Sequence, residues 1–400
     1  MKIFIAFLAL LTSITFYTNI SSFEIRLGFY YYLILISILI ILLLIGKISA
    51  FNKYIIWVLV AAVISLVFNN VDSIFMPYER LTAFLLLLSL LSPLISSKVL
   101  ENFRKTTFSF INKMIMLLVV ASFLGWLTGY YTGVEGRRDF TGLFSHSMIL
   151  GPMAAICLLN AAYLFYKENN KTLKTFYIFI IIISFLTGIL AGSRIALVGA
   201  LGGILFFHFK YHQYKLTKFL RVALVFLSVL ILTYPFWEKY TEFMKVKTNY
   251  ARTTTELFSS RTDLWFVRIM EFKNSPITGI GYASVDESLD RKFGRIDYYY
   301  IEPGSSYLTI LSMTGILGFI PFLLLLYSNF LFIYKSNSER LYLAYIGSLF
   351  VFLFIHMIAE GYVFSAGSGL FFYFWLSIGN IDILNKRKRL RNAFLPLEAK

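Results

Sequence analysis

Apolar runs about as long as a bilayer is thick follow one another along the chain, separated by short polar connections. A helix needs roughly 20 apolar residues to cross the hydrocarbon core. Backbone groups in lipid must be satisfied within the segment, so runs of this length are read as helices. Twelve spans are predicted, at about 3–20, 28–46, 54–70, 81–97, 112–131, 143–166, 174–192, 194–209, 219–236, 305–334, 341–359 and 365–384. The eighth is short, and the tenth is long enough to tilt or to begin outside the membrane. The first follows Lys2, but no small-x-small cleavage site succeeds it, so it is expected to stay as an anchor rather than leave as a signal peptide. The expected fold class is all-α: a polytopic integral membrane protein of about 12 transmembrane helices with one large, partly helical loop. The expected organisation is nine spans in 1–236, the loop in 237–303, three spans in 304–385, and a basic tail in 386–400.

Composition agrees. The chain is 58% hydrophobic and only 14% charged, against about 25% charged in soluble domains. Its single cysteine, Cys157, lies in an apolar run, which rules out an intrachain disulfide. Four scattered histidines make no zinc pattern, so no metal and no cofactor are expected. The net charge of +16 would point to nucleic acid in a soluble protein. Here it sorts by topology. Even-numbered connections and the termini hold most of the lysines and arginines, among them Lys47, Lys98, Arg104, Lys167, Lys210, Arg340 and the tail "NKRKRLR". Short odd-numbered connections hold only Arg26, Arg80, Arg137, Arg138 and Arg194. By the positive-inside rule both termini are cytoplasmic, and nucleic acid drops out as a partner.

One connection differs from the rest. Residues 237–303 form a 67-residue loop on the trans face, with ten Lys/Arg balanced by ten Asp/Glu. Within it, Ser260-x-x-Asp263 has capping-box spacing and would start a helix at Arg261. Arg261, Trp265 and Arg268 fall at i, i+4 and i+7, on one face, while Leu264, Val267 and Phe272 can pack toward membrane or spans. Pro276, Gly279 and Gly281 end the helix and turn the chain back. Two readings stand at this point: a helix lying on the membrane surface with its arginines among lipid headgroups, or a helix presenting arginine to a ligand.

Other segments place arginine at the same face. "GSRIALVG" puts Arg194 at the lip of a tight turn, "EGRRDFTGLFSHSMILGP" puts Arg137, Arg138 and His146 at the start of span six, and "MPYERL" puts Arg80 at span four. Each is either a snorkelling anchor or part of a cavity. Guanidinium groups suit bidentate capture of phosphate oxygens, so convergence would mean a lipid-linked phosphate or diphosphate. In "YYYIEPGSSYLTILSMTGILGFIPF" the tyrosines, Tyr307 included, fit either an interfacial belt or stacking on sugars. Glu302 stands just outside the membrane, and Ser305 opens span ten. "HMIAEGYVFSAGSG" sets His356 and Glu360 near the outer end of span eleven, where an ionisable group is either functional or an arginine's counter-ion.

These residues, in this order, resemble the O-antigen ligase and polymerase superfamily of bacterial inner membranes. "RDFTGLFSHSMILGP" resembles its span-six entrance, "TGILAGSRIALVGA" its serine-arginine turn, and "SSRTDLWFVRIMEFKNSPITGIGYAS" its arginine–tryptophan helix followed by Pro-x-x-Gly-x-Gly. "SSYLTILSMTGILG" and "AEGYVFSAGSGLFFYFWLSIG" resemble the span after the large loop and the last hairpin. The resemblance covers roughly residues 130–380. One departure stands out. Ligases of this family carry a His-Asn pair directly before the tyrosine-leucine step of span ten, where this chain has Gly304 and Ser305. That tilts the reading from ligase toward polymerase.

The resemblance implies a glycan donor on undecaprenyl diphosphate at the periplasmic face, a glycan acceptor, and, as a further possible partner, a chain-length regulator. The lipid diphosphate is the leaving group, so no nucleotide sugar is needed. Arg194 and Arg261 are the first candidates to hold it and stabilise developing charge, followed by Arg268, Arg138 and Arg80. Glu302 is the candidate base and His146 the second. Ser305, Tyr307 and Glu360 complete the expected substrate contacts. A transporter also fits twelve spans, but it would show repeated halves and midplane charges. A membrane acyltransferase would want a histidine on an early span, and none precedes His146.

Overall fold

A computed structural model of the chain describes residues 1–23, 27–69, 76–129, 140–213, 259–286, 288–289, 304–337 and 339–398, with isolated positions between 217 and 228; residues 259–260 and 390–398 are described as backbone. The helices are α1 (Lys2–Ile20), α2 (Phe29–Ile45), α3 (Lys53–Phe68), α4 (Pro77–Leu91), α5 (Lys98–Leu127), α6 (Ser147–Lys167), α7 (Lys171–Leu190) and α8 (Arg194–Tyr211). After the loop come α9 (Ser259–Asn274), α10 (Ser306–Lys335), α11 (Arg340–His356) and α12 (Gly369–Glu398). The strand content among the described residues is one antiparallel pair, β1 (Ala50–Phe51) with β2 (Ile95–Ser96).

Among the described residues six helices, α1, α5, α6, α7, α8 and α10, are long and apolar enough to cross a membrane, and α2, α3 and α11 are shorter apolar helices. The chain is thus an all-α protein of polytopic membrane type. Of the twelve predicted spans, 219–236 lies almost wholly outside the described residues. The other expected spans each coincide with a helix; α12 runs on through the expected tail to Glu398, and the 81–97 and 112–131 boundaries shift. The first ends at Leu91 and the second begins at Lys98, because Ser49 to Asn52 pairs with the chain at Leu94 to Ser96.

Arg104 explains much of that boundary. Expected as a topology charge in a connection, it lies instead inside α5 and is 1% exposed. Its Nε donates to Leu90 O and its Nη2 to Ser89 O and Ile95 O, all at 2.9 Å. One guanidinium therefore caps the end of α4, where carbonyls have no intrahelical donor. Arg104→Met leaves those carbonyls without it and is expected to cost about 2–4 kcal/mol. A thermal melt of the detergent-solubilised protein reads this, and an unchanged midpoint would remove the capping role.

Burial separates the helices by their neighbours. On α12, Phe371 to Leu376 are all buried, and α6 and α11 are buried along most of their length. On α1 the apolar stripe Ile3, Phe7, Leu10 and Ile14 is exposed, as are Phe176, Phe179 and Ile182 of α7 and Ile316, Ile320 and Leu323 of α10. Apolar stripes of that length facing outward fit hydrocarbon rather than water. Gly199 and Gly203, one turn apart on α8, let α11 approach its backbone: a methyl added at Gly203 would lie 2.8 Å from Ser348 O.

One end of the bundle is tied together across the chain. Ser21 bridges Phe144, joining the end of α1 to the start of α6. Ser306 N donates to Met357 O and Glu360 O, both at 3.0 Å, joining the start of α10 to the end of α11. The α9 helix docks at this same end.

Candidate functional site

The α9 helix begins at Ser259, two residues before the start that its capping spacing predicts. Its arginine face turns onto the bundle, and each of the three residues on it meets a different element. Arg261 Nη2 lies 2.7 Å from Glu360 Oε1, in the connection between α11 and α12. Trp265 Nε1 donates to Gly304 O at 3.0 Å, just ahead of α10. Arg268 Nη1 donates to Glu271 Oε2 at 2.8 Å and reaches Ser312 Oγ of α10 at 3.4 Å. A helix merely resting on a membrane surface would not spend all three on the protein.

The two arginines end in different environments. Arg268 and Glu271 are 3% and 0% exposed. Glu271 is saturated: Oε2 also accepts from Ser312 Oγ at 2.6 Å, and Oε1 accepts from Asp286 N at 3.0 Å. This pair acts as a lock for α9 against α10. Sequence reading put Arg268 among the diphosphate ligands and did not single out Glu271. The i, i+3 spacing of Arg268 and Glu271 was the available signal. Removing one partner of a buried pair strands the other charge, so Glu271→Ala is expected to cost about 3–5 kcal/mol. The double change Arg268→Met with Glu271→Met should cost less than either single change. Additive losses in a melt would mean the two do not act as a pair.

Arg261 and Glu360 are 15% and 17% exposed, so their pair faces the surface of the site. Glu360 is held from behind. Ser306 Oγ donates to Glu360 O at 2.7 Å and accepts from Tyr362 N at 3.0 Å, a clamp on the backbone that sequence reading did not assign. Arg194 is exposed at the first turn of α8. Gly203 of α8 faces Ser348 of α11 and Gly199 faces Phe352, so one more turn brings Arg194 to about the level of His356. His356 itself is 0% exposed between the rings of Phe352 and Tyr362, within electrostatic reach of Arg261. Neither of its ring nitrogens has a hydrogen-bond partner among the described residues. A buried orphan of this kind calls for an explanation, and a working site is one.

The remaining candidates are placed as follows. His146 is the N-cap of α6, its Nδ1 accepting from Met148 N at 3.2 Å, which leaves Nε2 for any other role. Ser305 is the N-cap of α10, buried, donating to Met357 O at 3.3 Å. The Tyr307 hydroxyl donates to Phe354 O at 2.9 Å and its ring packs on Phe354, so it joins α10 to α11. Arg80 is exposed in the first turn of α4. Arg138 and Glu302 lie outside the described residues, as do Arg137 and most of the loop before Ser259.

The Pro-x-x-Gly-x-Gly segment has a specific task. At Gly315 (φ 58°, ψ −160°) the α10 helix is broken, which frees donors and acceptors on either side. The loop after α9 takes them up: Ile280 N donates to Ser312 O at 2.9 Å and Gly281 N to Met313 O at 3.3 Å, while Ile316 N donates to Pro276 O at 3.0 Å and Leu317 N to Ile277 O at 3.2 Å. Gly279 has φ 73°, and a methyl there would run into the Met313–Thr314 backbone. Ser65 of α3 donates to the same Met313 carbonyl. Tyr282 then closes the segment down, its hydroxyl donating to Phe364 O at 3.1 Å. Burial pushes that phenol above its ordinary pKa, so it stays a donor.

Chemically, this end of the bundle offers a mostly buried guanidinium fixed by a carboxylate, an exposed guanidinium on α8, and a buried imidazole behind them. Fixed arginines of this kind suit a phosphorylated ligand. No curated protein matches the chain. The family model described as O-antigen ligase matches residues 179–323, a narrower stretch than the resemblance at 130–380. That stretch runs from mid-α7 to past the middle of α10 and takes in Arg194, Arg261, Arg268 and the Gly279–Gly315 contact, and over it the chain is similar to the O-antigen ligase family.

Proposed function

We propose that the protein is a surface-polysaccharide polymerase of the bacterial inner membrane, joining undecaprenyl-diphosphate-linked repeat units at the periplasmic face. Both termini are then cytoplasmic, and the end of the bundle that carries α9 is periplasmic. The growing glycan leaves its carrier for a hydroxyl of a new lipid-linked repeat unit, with the lipid diphosphate as leaving group and no metal or cofactor required. Arg261 and Arg194 hold the diphosphate and stabilise the charge growing on its bridging oxygen. Arg268 acts through the placement of α9. Glu302 is the proposed base, and a chain-length regulator is a proposed partner.

The observation that carries this reading is the Arg261–Glu360 pair, which brings the loop helix and the last hairpin together at one partly exposed point. The choice of polymerase over ligase rests on Gly304. It has φ 71°, its carbonyl accepts from Trp265, and a methyl on it would lie 2.8 Å from Leu264 Cβ. A histidine at that position would force α9 away. The favoured reading is tested with purified protein in vesicles, given an undecaprenyl-diphosphate-linked repeat unit and then lipid A–core, with products resolved by mass. A ladder of lengthened lipid-linked glycans supports the polymerase. Transfer only when lipid A–core is present makes it a ligase, and inertness with both moves the assignment to transport.

A further inference from the structure

At the end of the bundle away from α9, three helix ends bring cations together. Lys210, in the last turn of α8, is 1% exposed, and its Nζ donates to Tyr334 O of α10 at 2.6 Å. The charges of Lys388 on α12 and Arg340 at the start of α11 both reach it. About 24 Å of helix rise separates Lys210 from Arg194 at the other end of α8. The cluster is therefore separate from the site already described.

Two of the three cations have no acidic partner among the described residues: neither Arg340 nor Lys388 pairs with a carboxylate. With the Gln213 amide turned to satisfy both groups, its oxygen accepts from Arg340 Nη1 and Nη2, a neutral partner for a charge. Arg340 Nε is buried with no partner among the described residues. Glu339, the adjacent acid, stands exposed in left-handed backbone (φ 48°), and its charge is felt at Tyr163 and Tyr342. Like charges gathered at a low-dielectric edge repel, and an anion relieves them. An apolar lane leads to the cluster. Phe206 of α8 packs on Phe330 of α10 with ring centroids 6.5 Å apart, and one turn further along the same two helices Lys210 meets Tyr334. Tyr327, Phe330 and Tyr334 fall at i, i+3 and i+7, and all three are exposed.

We propose that this cluster binds the phosphate of an anionic phospholipid, with Arg340 and Lys388 on the phosphate, Lys210 adding charge from behind, and an acyl chain along Tyr327, Phe330 and Tyr334. Guanidinium and ammonium groups suit phosphate oxygens, and basic pockets between the ends of membrane helices take acidic head groups. The occupant is a lipid rather than a free phosphate because the exposed aromatic stripe runs into the cations. The site requires neither the transferase reading nor its donor. On the topology proposed above it belongs to the cytoplasmic leaflet.

The test uses full-length protein in a non-ionic detergent, with bound lipid read by native mass spectrometry. Dioleoyl phosphatidylglycerol is titrated against dioleoyl phosphatidylethanolamine. The expected result is preferential retention of phosphatidylglycerol, weakened about 30-fold in the double variant Arg340→Gln with Lys388→Gln. Equal retention of both lipids by the unaltered protein overturns the proposal. The control is Arg387→Gln with Arg389→Gln, which removes the same charge from exposed neighbours of Lys388 on α12. It should leave retention unchanged, and a loss as large as that of the first pair means diffuse attraction to a basic tail and overturns the site. Tyr327→Gln with Phe330→Gln removes the apolar lane and no charge, so it must also weaken retention; full retention sinks the proposal even if the charge variants misfold. Glycerophosphoglycerol, the headgroup without its acyl chains, should not displace the lipid. Displacement at equal concentration marks a site for free phosphate and overturns the lipid assignment.

Discussion

Arg261→Ala is expected to lower glycan transfer by about 10²–10³-fold, the usual cost of losing one preorganised donor to developing charge. Arg261 meets Glu360 in a pair that is 15% and 17% exposed, so the same change should cost the fold less than breaking the buried Arg268–Glu271 pair. Exposed pairs are worth roughly 0–1 kcal/mol and breaking a fully buried one costs about 3–5, so this largely buried pair should fall between the two. A large kinetic effect with a thermal effect in that range is the signature of a guanidinium that works on substrate. Glu360→Gln sharpens the test: it keeps the shape but removes the counter-charge, so it should disturb Arg261 without removing it. Its loss should be well below that of Arg261→Ala. Equal losses would make the pair a hinge pin rather than a catalytic contact. A rate for Arg261→Ala within about threefold of the unaltered protein would end the proposed role.

Gly279→Ala is expected to undo the docking of the whole loop helix. An L-residue at φ 73° carries about 1–2 kcal/mol of backbone strain. The added methyl must also enter the Met313–Thr314 backbone, which has no rotamer to turn away. Overpacking adds about 1–3 kcal/mol more, for roughly 2–5 kcal/mol in all. The bonds from Ile280 and Gly281 to Ser312 and Met313 would be lost with it, and the broken turn of α10 would again lack partners. Activity should fall with docking, and limited proteolysis should cut between α9 and α10. Gly129→Ala is the control: φ is 70°, but among the described residues a methyl there meets nothing within 4 Å. It should show the strain alone. Similar behaviour of the two variants would mean that Gly279 is a turn residue and not the seat of the contact.

The apolar runs located the helices because hydrocarbon imposes its demand locally, on every span separately. The same local logic put Arg261, Trp265 and Arg268 on one face, since 3.6 residues per turn allow little else. Where a boundary slipped, at α4 and α5, the cause was remote: Arg104 fills the end of a helix fourteen residues earlier, and no local pattern announces that. The fates of the two loop arginines show the same limit. Arg268 was read as a ligand contact, yet it is buried against Glu271 and Ser312, while Arg261 reaches a carboxylate 99 positions away. Periodicity names the face but not what the face will meet. The glycines of the Pro-x-x-Gly-x-Gly stretch were legible as a turn. That they answer a break at Gly315 became visible only when both segments lay side by side.

What the sequence determined by itself is the described helices, the polytopic membrane type and the arginine-rich loop helix, because each follows from spacing within one segment. The tertiary structure alone decided which arginine is a buried lock and which pairs with Glu360, where α10 breaks, and what holds Glu360. Those depend on hydrogen bonds closed between segments far apart in the chain, and such bonds form only where burial removes water as the competing partner.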